Sequence, residues 1–184
     1  SGGKPSIIAW QPVTEGGRLF LVRQTSFVPS GVPNDSPVVA QDLETGSELW
    51  AVNLPWNPGE WTTWVAGVRG GRVFASRGGN GASSSAPLYA LDAATGAVLW
   101  TSLDDIDAGA YDGVTFAPDG DPVIASFTDV WRIDAATGAT VWHANRTCSV
   151  SGNCGGAVFG GALYVADAVV GGHALRRFDL ATDA

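Results

Sequence analysis

The chain has 184 residues and a net charge of −8, with hydrophobic residues at 45%, charged residues at 15%, 25 glycines and 10 prolines. So apolar a composition excludes a disordered polymer, and a chain of this length buries roughly 70% of its unfolded surface when it folds as one domain. One lysine and nine arginines scattered along an acidic chain exclude the basic stripe of a nucleic-acid binder, and no run approaches the ~18 apolar residues of a membrane span.

The sequence holds no methionine and opens Ser1-Gly2-Gly3-Lys4-Pro5, which reads as a trimmed end or linker. Removal of a signal or lipoprotein peptide would be in keeping with it, although none is visible. A first group of short strands is expected near 6–12, 18–23, 37–42 and 47–52. Its second strand follows a glycine turn, Gly16-Gly17-Arg18-Leu19-Phe20-Leu21, and is apolar on both faces, as a strand buried between stacked sheets must be. The group closes on Ala40-Gln41-Asp42-Leu43-Glu44-Thr45-Gly46-Ser47-Glu48-Leu49-Trp50.

Both features return down the chain. Strands expected near 61–68, 72–77, 86–92 and 97–102 contain Gly70-Gly71-Arg72-Val73-Phe74-Ala75 and Ala90-Leu91-Asp92-Ala93-Ala94-Thr95-Gly96-Ala97-Val98-Leu99-Trp100. A third group, near 111–117, 122–127, 129–134 and 139–144, contains Asp119-Gly120-Asp121-Pro122-Val123-Ile124 and Arg132-Ile133-Asp134-Ala135-Ala136-Thr137-Gly138-Ala139-Thr140-Val141-Trp142. A fourth, near 155–159, 162–167 and 173–179, has Gly160-Gly161-Ala162-Leu163-Tyr164-Val165 and Arg177-Phe178-Asp179-Leu180-Ala181-Thr182, with Asp183 where glycine stands in the other copies. Asp42, Asp92, Asp134 and Asp179 lie 50, 42 and 45 residues apart, the length of one propeller blade.

The turn explains itself locally. An aspartate or threonine side chain caps backbone N–H groups, and glycine accepts the positive φ that closes the hairpin. The tryptophan four residues on supplies a large apolar plate for the next sheet, and an alanine upstream leaves room for it.

Ala-x-Asp-x-x-Thr-Gly-x-x-x-Trp resembles the tryptophan-docking motif of PQQ-like (quinoprotein-type) β-propeller repeats, over about Ile7 to Thr182. Such repeats occur in quinoprotein alcohol dehydrogenases and in non-catalytic outer-membrane assembly lipoprotein propellers. The resemblance implies an all-β propeller of four-stranded antiparallel blades, about 6–52, 61–102, 111–144 and 155–184, in a single propeller domain or segment. Rings of this family are larger, so the blades are expected to join missing blades or another copy, or to close as a small ring. The motif residues Asp42, Thr45, Gly46, Trp50, Asp92, Thr95, Gly96, Trp100, Asp134, Thr137, Gly138, Trp142, Asp179 and Thr182 are structural in every such family and specify no function.

Function is expected in the longer, irregular loops on the face opposite these turns, which include Asn53 to Glu60, Leu103 to Ala110, Asn145 to Asn153 and Asp167 to Gly172. Trp56 and Trp61 offer an aromatic platform for a peptide or sugar, against the plainer reading of packing between blades. Asp104, Asp105 and Asp107 offer carboxylates to a hard cation, against the plainer reading of a solvated turn, which the irregular spacing favours. Cys148 and Cys154 are read first as a disulfide closing a short loop, with free thiols and a metal site as alternatives; a disulfide argues for an oxidising compartment.

Enzymatic chemistry has little to build on. The dehydrogenases resemble one another in adjacent cysteines that stack on the quinone, and here the cysteines are separated. The two histidines, His143 and His173, stand in no recognisable nucleophile or metal pattern. The reading is an exported, extracytoplasmic, non-catalytic module without cofactor, binding a protein or other extracellular ligand. Its alternatives are a fragment of a PQQ-dependent oxidoreductase, needing PQQ and Ca²⁺, and a self-assembling structural surface protein.

Overall fold

The computed structural model describes residues 6–7, 12–24, 36–55, 60–79, 86–106, 114–126, 128–148 and 156–182. Among these residues every regular element is a strand, and the strands form four antiparallel sheets. The first sheet holds β1 (Ser6–Ile7), β2 (Val13–Glu15), β3 (Arg18–Gln24), β4 (Val38–Asp42) and β5 (Glu48–Val52). The second holds β6 (Glu60–Arg69), β7 (Arg72–Gly79), β8 (Ala86–Asp92) and β9 (Val98–Ile106). The third holds β10 (Val114–Phe116), β11 (Pro122–Ala125), β12 (Asp129–Ile133) and β13 (Thr140–Asn145). The fourth holds β14 (Gly156–Phe159), β15 (Ala162–Val169) and β16 (Gly172–Asp179). In the second, third and fourth sheets the strands pair in sequence order as a meander, the arrangement of propeller blades; in the first, β1 and β2 both pair with β3, which is followed in order by β4 and β5.

Hairpin chemistry sets the inner turns. Gly70 and Gly71 carry φ of 59° and 74°, the pair of positive values that a two-residue type I′ turn demands. At the outer hairpins, Ala40 lies opposite Trp50 and Ala90 opposite Trp100, so a small side chain faces each indole. The register slips immediately after each pair, and again at Arg132/Ile133 in the third sheet, which is a recurrent bulge beside the aspartate turn.

Three apolar clusters sit between consecutive sheets. Phe20, Val38 and Ala40 meet Val73, Tyr89 and Leu91; Phe74, Leu88 and Ala90 meet Ile124 and Ile133; Val123, Val130 and Trp142 meet Leu163, Phe178 and Leu180. Neighbouring residues therefore serve different cores, Val73 one and Phe74 the next, which is why these strands read as apolar on both faces.

Three expectations are corrected. The inner strand placed at 6–12 is described at Ser6–Ile7 (β1) and reaches beyond Pro12, where Val13–Glu15 (β2) pairs with β3; residues 8–11 lie outside the described residues. The outer strand placed at 97–102 runs on to Ile106, whose burial against the second core and pairing with Ala86 extend it past Asp104 and Asp105. Asp167 to Gly172 is not an irregular loop: the β15–β16 ladder continues to Val169 opposite Gly172, leaving Val170-Gly171 as a tight turn.

Candidate functional site

The repeated turns form one face. Asp42 Oδ1 accepts the N–H of Glu44 at 3.1 Å, the N–H of Thr45 at 2.8 Å and the Thr45 hydroxyl at 2.9 Å, while the Gly46 N–H donates to the Asp42 carbonyl at 2.8 Å. Asp92 with Thr95, and Asp134 with Thr137, repeat the pattern. Bonds from Thr45, backbone first and then hydroxyl, hold the Asp42 carboxyl below 3.8, and the hydroxyls and then the backbone of Thr95 and Thr137 do the same for Asp92 and Asp134. Asp179 is lowered chiefly by the Ala181 N–H and by Arg177, with a smaller contribution from the Thr182 N–H. These turns lock onto the glycine turns beside them: the N–H groups of Leu43, Ala93 and Leu180 donate to the carbonyls of Gly17, Gly71 and Gly161.

Each motif tryptophan reaches the following sheet. The indole N–H of Trp50 donates to the Ala93 carbonyl at 3.2 Å, that of Trp100 to Ala135 at 3.0 Å, and that of Trp142 to Leu180 at 3.0 Å. A Cβ on Gly96 would lie 2.8 Å from the Trp50 ring, and one on Gly138 2.5 Å from the Trp100 ring. Glycine is thus required there for its φ and for the indole that lies against it. On the first sheet no described residue occupies the same seat: none lies within 4 Å of a Cβ on Gly46, and Leu43 is 52% exposed where Leu180, beneath Trp142, is 2% exposed.

The opposite face carries the other connections and a groove of about 480 Å³ between the third and fourth sheets. Its floor is an ion network. The Arg146 side chain is fully buried; its Nε donates to Asp167 Oδ1 at 2.9 Å and its Nη2 to the Ala166 carbonyl at 2.9 Å. Arg176 Nη1 donates to the Asn145 carbonyl at 2.8 Å and to Asp167 Oδ2 at 3.3 Å. Backbone bonds from Arg146 to Thr128 and from Ala168 to Thr147 fasten the connection to both sheets. One carboxylate between two guanidinia, satisfied on both oxygens, makes this rim rigid.

The residues singled out in the sequence do not gather here. Trp56, Asp107 and Cys154 lie outside the described residues, and Trp61 is described only in its backbone, within β6. Asp104 and Asp105 are exposed on β9 rather than in a loop, and Asp104 Oδ2 accepts the Thr140 hydroxyl at 2.5 Å, linking the outer strands of two sheets. Among the described residues no three His, Cys, Asp or Glu side chains converge as a metal site. Cys148 is buried one residue beyond Thr147. Arg146, Asp167 and Arg176 were missed; the available signal was Asp167, the one charged residue within the otherwise apolar strand β15, and Arg146 directly after β13.

A family model described as outer membrane protein assembly factor BamB matches residues 34–177, well over half of the chain. No curated protein matches the chain in sequence. Among solved structures, BamB from Moraxella catarrhalis superposes with a TM-score of 0.62 at 19% identity, over 95% of this chain and 50% of that one. Europium-containing methanol dehydrogenase superposes at 0.60 and 12% identity, over 96% and 40%. Quinohemoprotein alcohol dehydrogenase ADHIIG from Pseudomonas putida HK5 superposes at 0.55 and 16%, over 91% and 32%. These likenesses are of fold, and the chain spans half the length of that BamB structure and less of the two dehydrogenases.

Proposed function

The chain belongs to the PQQ-like β-propeller family whose model is described as outer membrane protein assembly factor BamB, and from that premise we propose that it is an exported, non-catalytic binding or scaffolding module that receives a protein partner on its loop face. The observation that carries this reading is the groove between the third and fourth sheets, a rigid concave site on the face away from the repeated turns. The repeated turns are spent on holding sheets together, which leaves the loop face for recognition. The seat at Gly46 fits a further blade of the same repeat, offering an indole as Trp50 and Trp100 do. An oxidising compartment suits this role, and Cys148 is assigned Cys154 as its disulfide partner.

The dehydrogenase likenesses keep an oxidoreductase fragment as the competing reading, with PQQ and Ca²⁺ as its cofactors. Two of the described glutamates are already committed within the fold. Glu15 accepts the N–H groups of Gly70 and Gly71 at 2.9 and 2.7 Å, and Glu48 pairs with Arg23. Both are engaged in joining structure, so no step through a quinone is derived.

The binding reading is tested by photo-crosslinking in the cell of origin, with the crosslinker placed at Val170 beside the groove or at Thr45 on the opposite face. A discrete protein adduct from Val170 and none from Thr45 is expected. Adducts from Thr45 alone, or none from either position, would sink it.

A further inference from the structure

The face of the repeated turns is joined differently at each meeting of two sheets. Between the first and second, Glu15, the last residue before one inner glycine turn, sets its carboxylate on the N–H groups of Gly70 and Gly71 in the next. Between the third and fourth, Arg132 donates to the Leu180 carbonyl and pairs with Asp119 and Asp121. Between the second and third, Arg69 holds the place of Glu15. It directly precedes Gly70-Gly71, and its Cγ lies 4.0 Å from a Cβ built on Gly120 in the third sheet's inner turn.

Arg72 stands directly opposite Arg69 in the β6–β7 ladder, and it shares a face of β7 with Phe74, which packs into the core between the second and third sheets. Two like charges in direct register weaken a ladder. No described residue forms an ion pair or a side-chain hydrogen bond with either arginine, and the buried Nε of Arg72 has no partner. The carboxylates on this face are committed, Asp119 and Asp121 to Arg132, and Oδ1 of Asp92 and of Asp134 to their own turns. This joint is interior to the array, since the first sheet packs on the second and the fourth on the third.

We propose that a free tetrahedral oxyanion, phosphate or sulfate, binds between the guanidinia of Arg69 and Arg72 on the turn face, independently of any partner on the loop face. Two guanidinium forks present N–H pairs to its oxygens, and its double charge turns their mutual repulsion into attraction to a shared anion. At this joint the anion plays the part that the Glu15 carboxylate plays at the one before. A chain of net charge −8 repels anions in general, so saturable uptake reports a specific site.

The test titrates the protein calorimetrically with inorganic phosphate, sulfate and acetate at one ionic strength, balanced with chloride. Saturable binding of one phosphate or sulfate per chain is expected, with acetate weaker. Arg69→Gln and Arg72→Gln should each weaken it about tenfold or more, and Arg72→Lys should restore only part of the loss, since a lysine lacks the two-pronged fork. Arg23→Gln, which removes an arginine paired with Glu48 on the first sheet, should leave it unchanged. Where a glutamine variant fails to fold, the nitrogen-15 resonances of the arginine side chains in the unsubstituted protein decide, and phosphate should move those of Arg69 and Arg72 alone. No saturable uptake, acetate binding as tightly as phosphate, undiminished binding in both glutamine variants, or shifts confined to other arginines would overturn the proposal.

Discussion

The indole N–H of Trp50 donates to the carbonyl of Ala93 across 3.2 Å, tying the outer strand of one sheet to the aspartate turn of the next. The ring lies where a side chain on Gly96 would have to go. Trp100 with Ala135 and Gly138 repeats the contact, so the same few atoms set how consecutive sheets stack.

Gly138→Ala forces a Cβ into the Trp100 ring at 2.5 Å and also into a positive φ of 77°. Gly46→Ala meets the φ cost alone, because no described residue occupies its seat. Urea unfolding should show a loss of about 1 kcal/mol for Gly46→Ala and of ~2–4 kcal/mol for Gly138→Ala. Equal losses would remove the indole contact from the account of why glycine is needed.

Acid should undo the turns. The carboxyls of Asp42, Asp92, Asp134 and Asp179 are each lowered below 3.8 in the folded chain. Their contribution to stability is complete above the unfolded-chain value and is lost as pH falls through the lowered folded values. The melting temperature should therefore hold from neutral pH to about 4 and drop below it, with a shallower acid limb and a lower plateau in Asp92→Asn/Asp134→Asn. An acid limb as steep in that variant as in the parent protein contradicts the assignment.

Asp167→Ala leaves the fully buried Arg146 side chain without its carboxylate. Removing a single partner of a buried ion pair strands a charge, and a loss of ~3–5 kcal/mol is expected in urea unfolding. Asp105→Ala, an exposed carboxylate on β9, should change stability by less than about 0.5 kcal/mol. A neutral Asp167→Ala would mean that the network does not brace the groove.

Cys148 and Cys154 should resist alkylation until reduced, and reduction should cost about 2 kcal/mol, the size expected for a short closed loop. Thiol labelling followed by intact mass, before and after reductant, checks both. Immediate labelling of the unreduced protein would withdraw the disulfide and its support for an oxidising compartment.

The fold was legible because its determinants are local and periodic. Asp42, Thr45 and Gly46 close one turn within five residues, Trp50 follows at fixed spacing, and the set returns at Asp92 and Asp134. The groove was not legible, because Arg146, Asp167 and Arg176 come from separate segments whose approach depends on stacking two sheets. Asp104 and Asp105 misled for the opposite reason. Two adjacent carboxylates read as a turn, while the strand is prolonged by Ile106, whose side chain the second core buries. Polarity of exposed residues says little about strand ends when the next apolar side chain has somewhere to go.

Equilibrium dialysis of the full-length protein against PQQ and Ca²⁺ is the most direct test of a propeller that binds without chemistry. No retained quinone absorbance, and no alcohol oxidation with an artificial electron acceptor, is the expected result. A stoichiometric bound chromophore that turns over an alcohol would contradict the account.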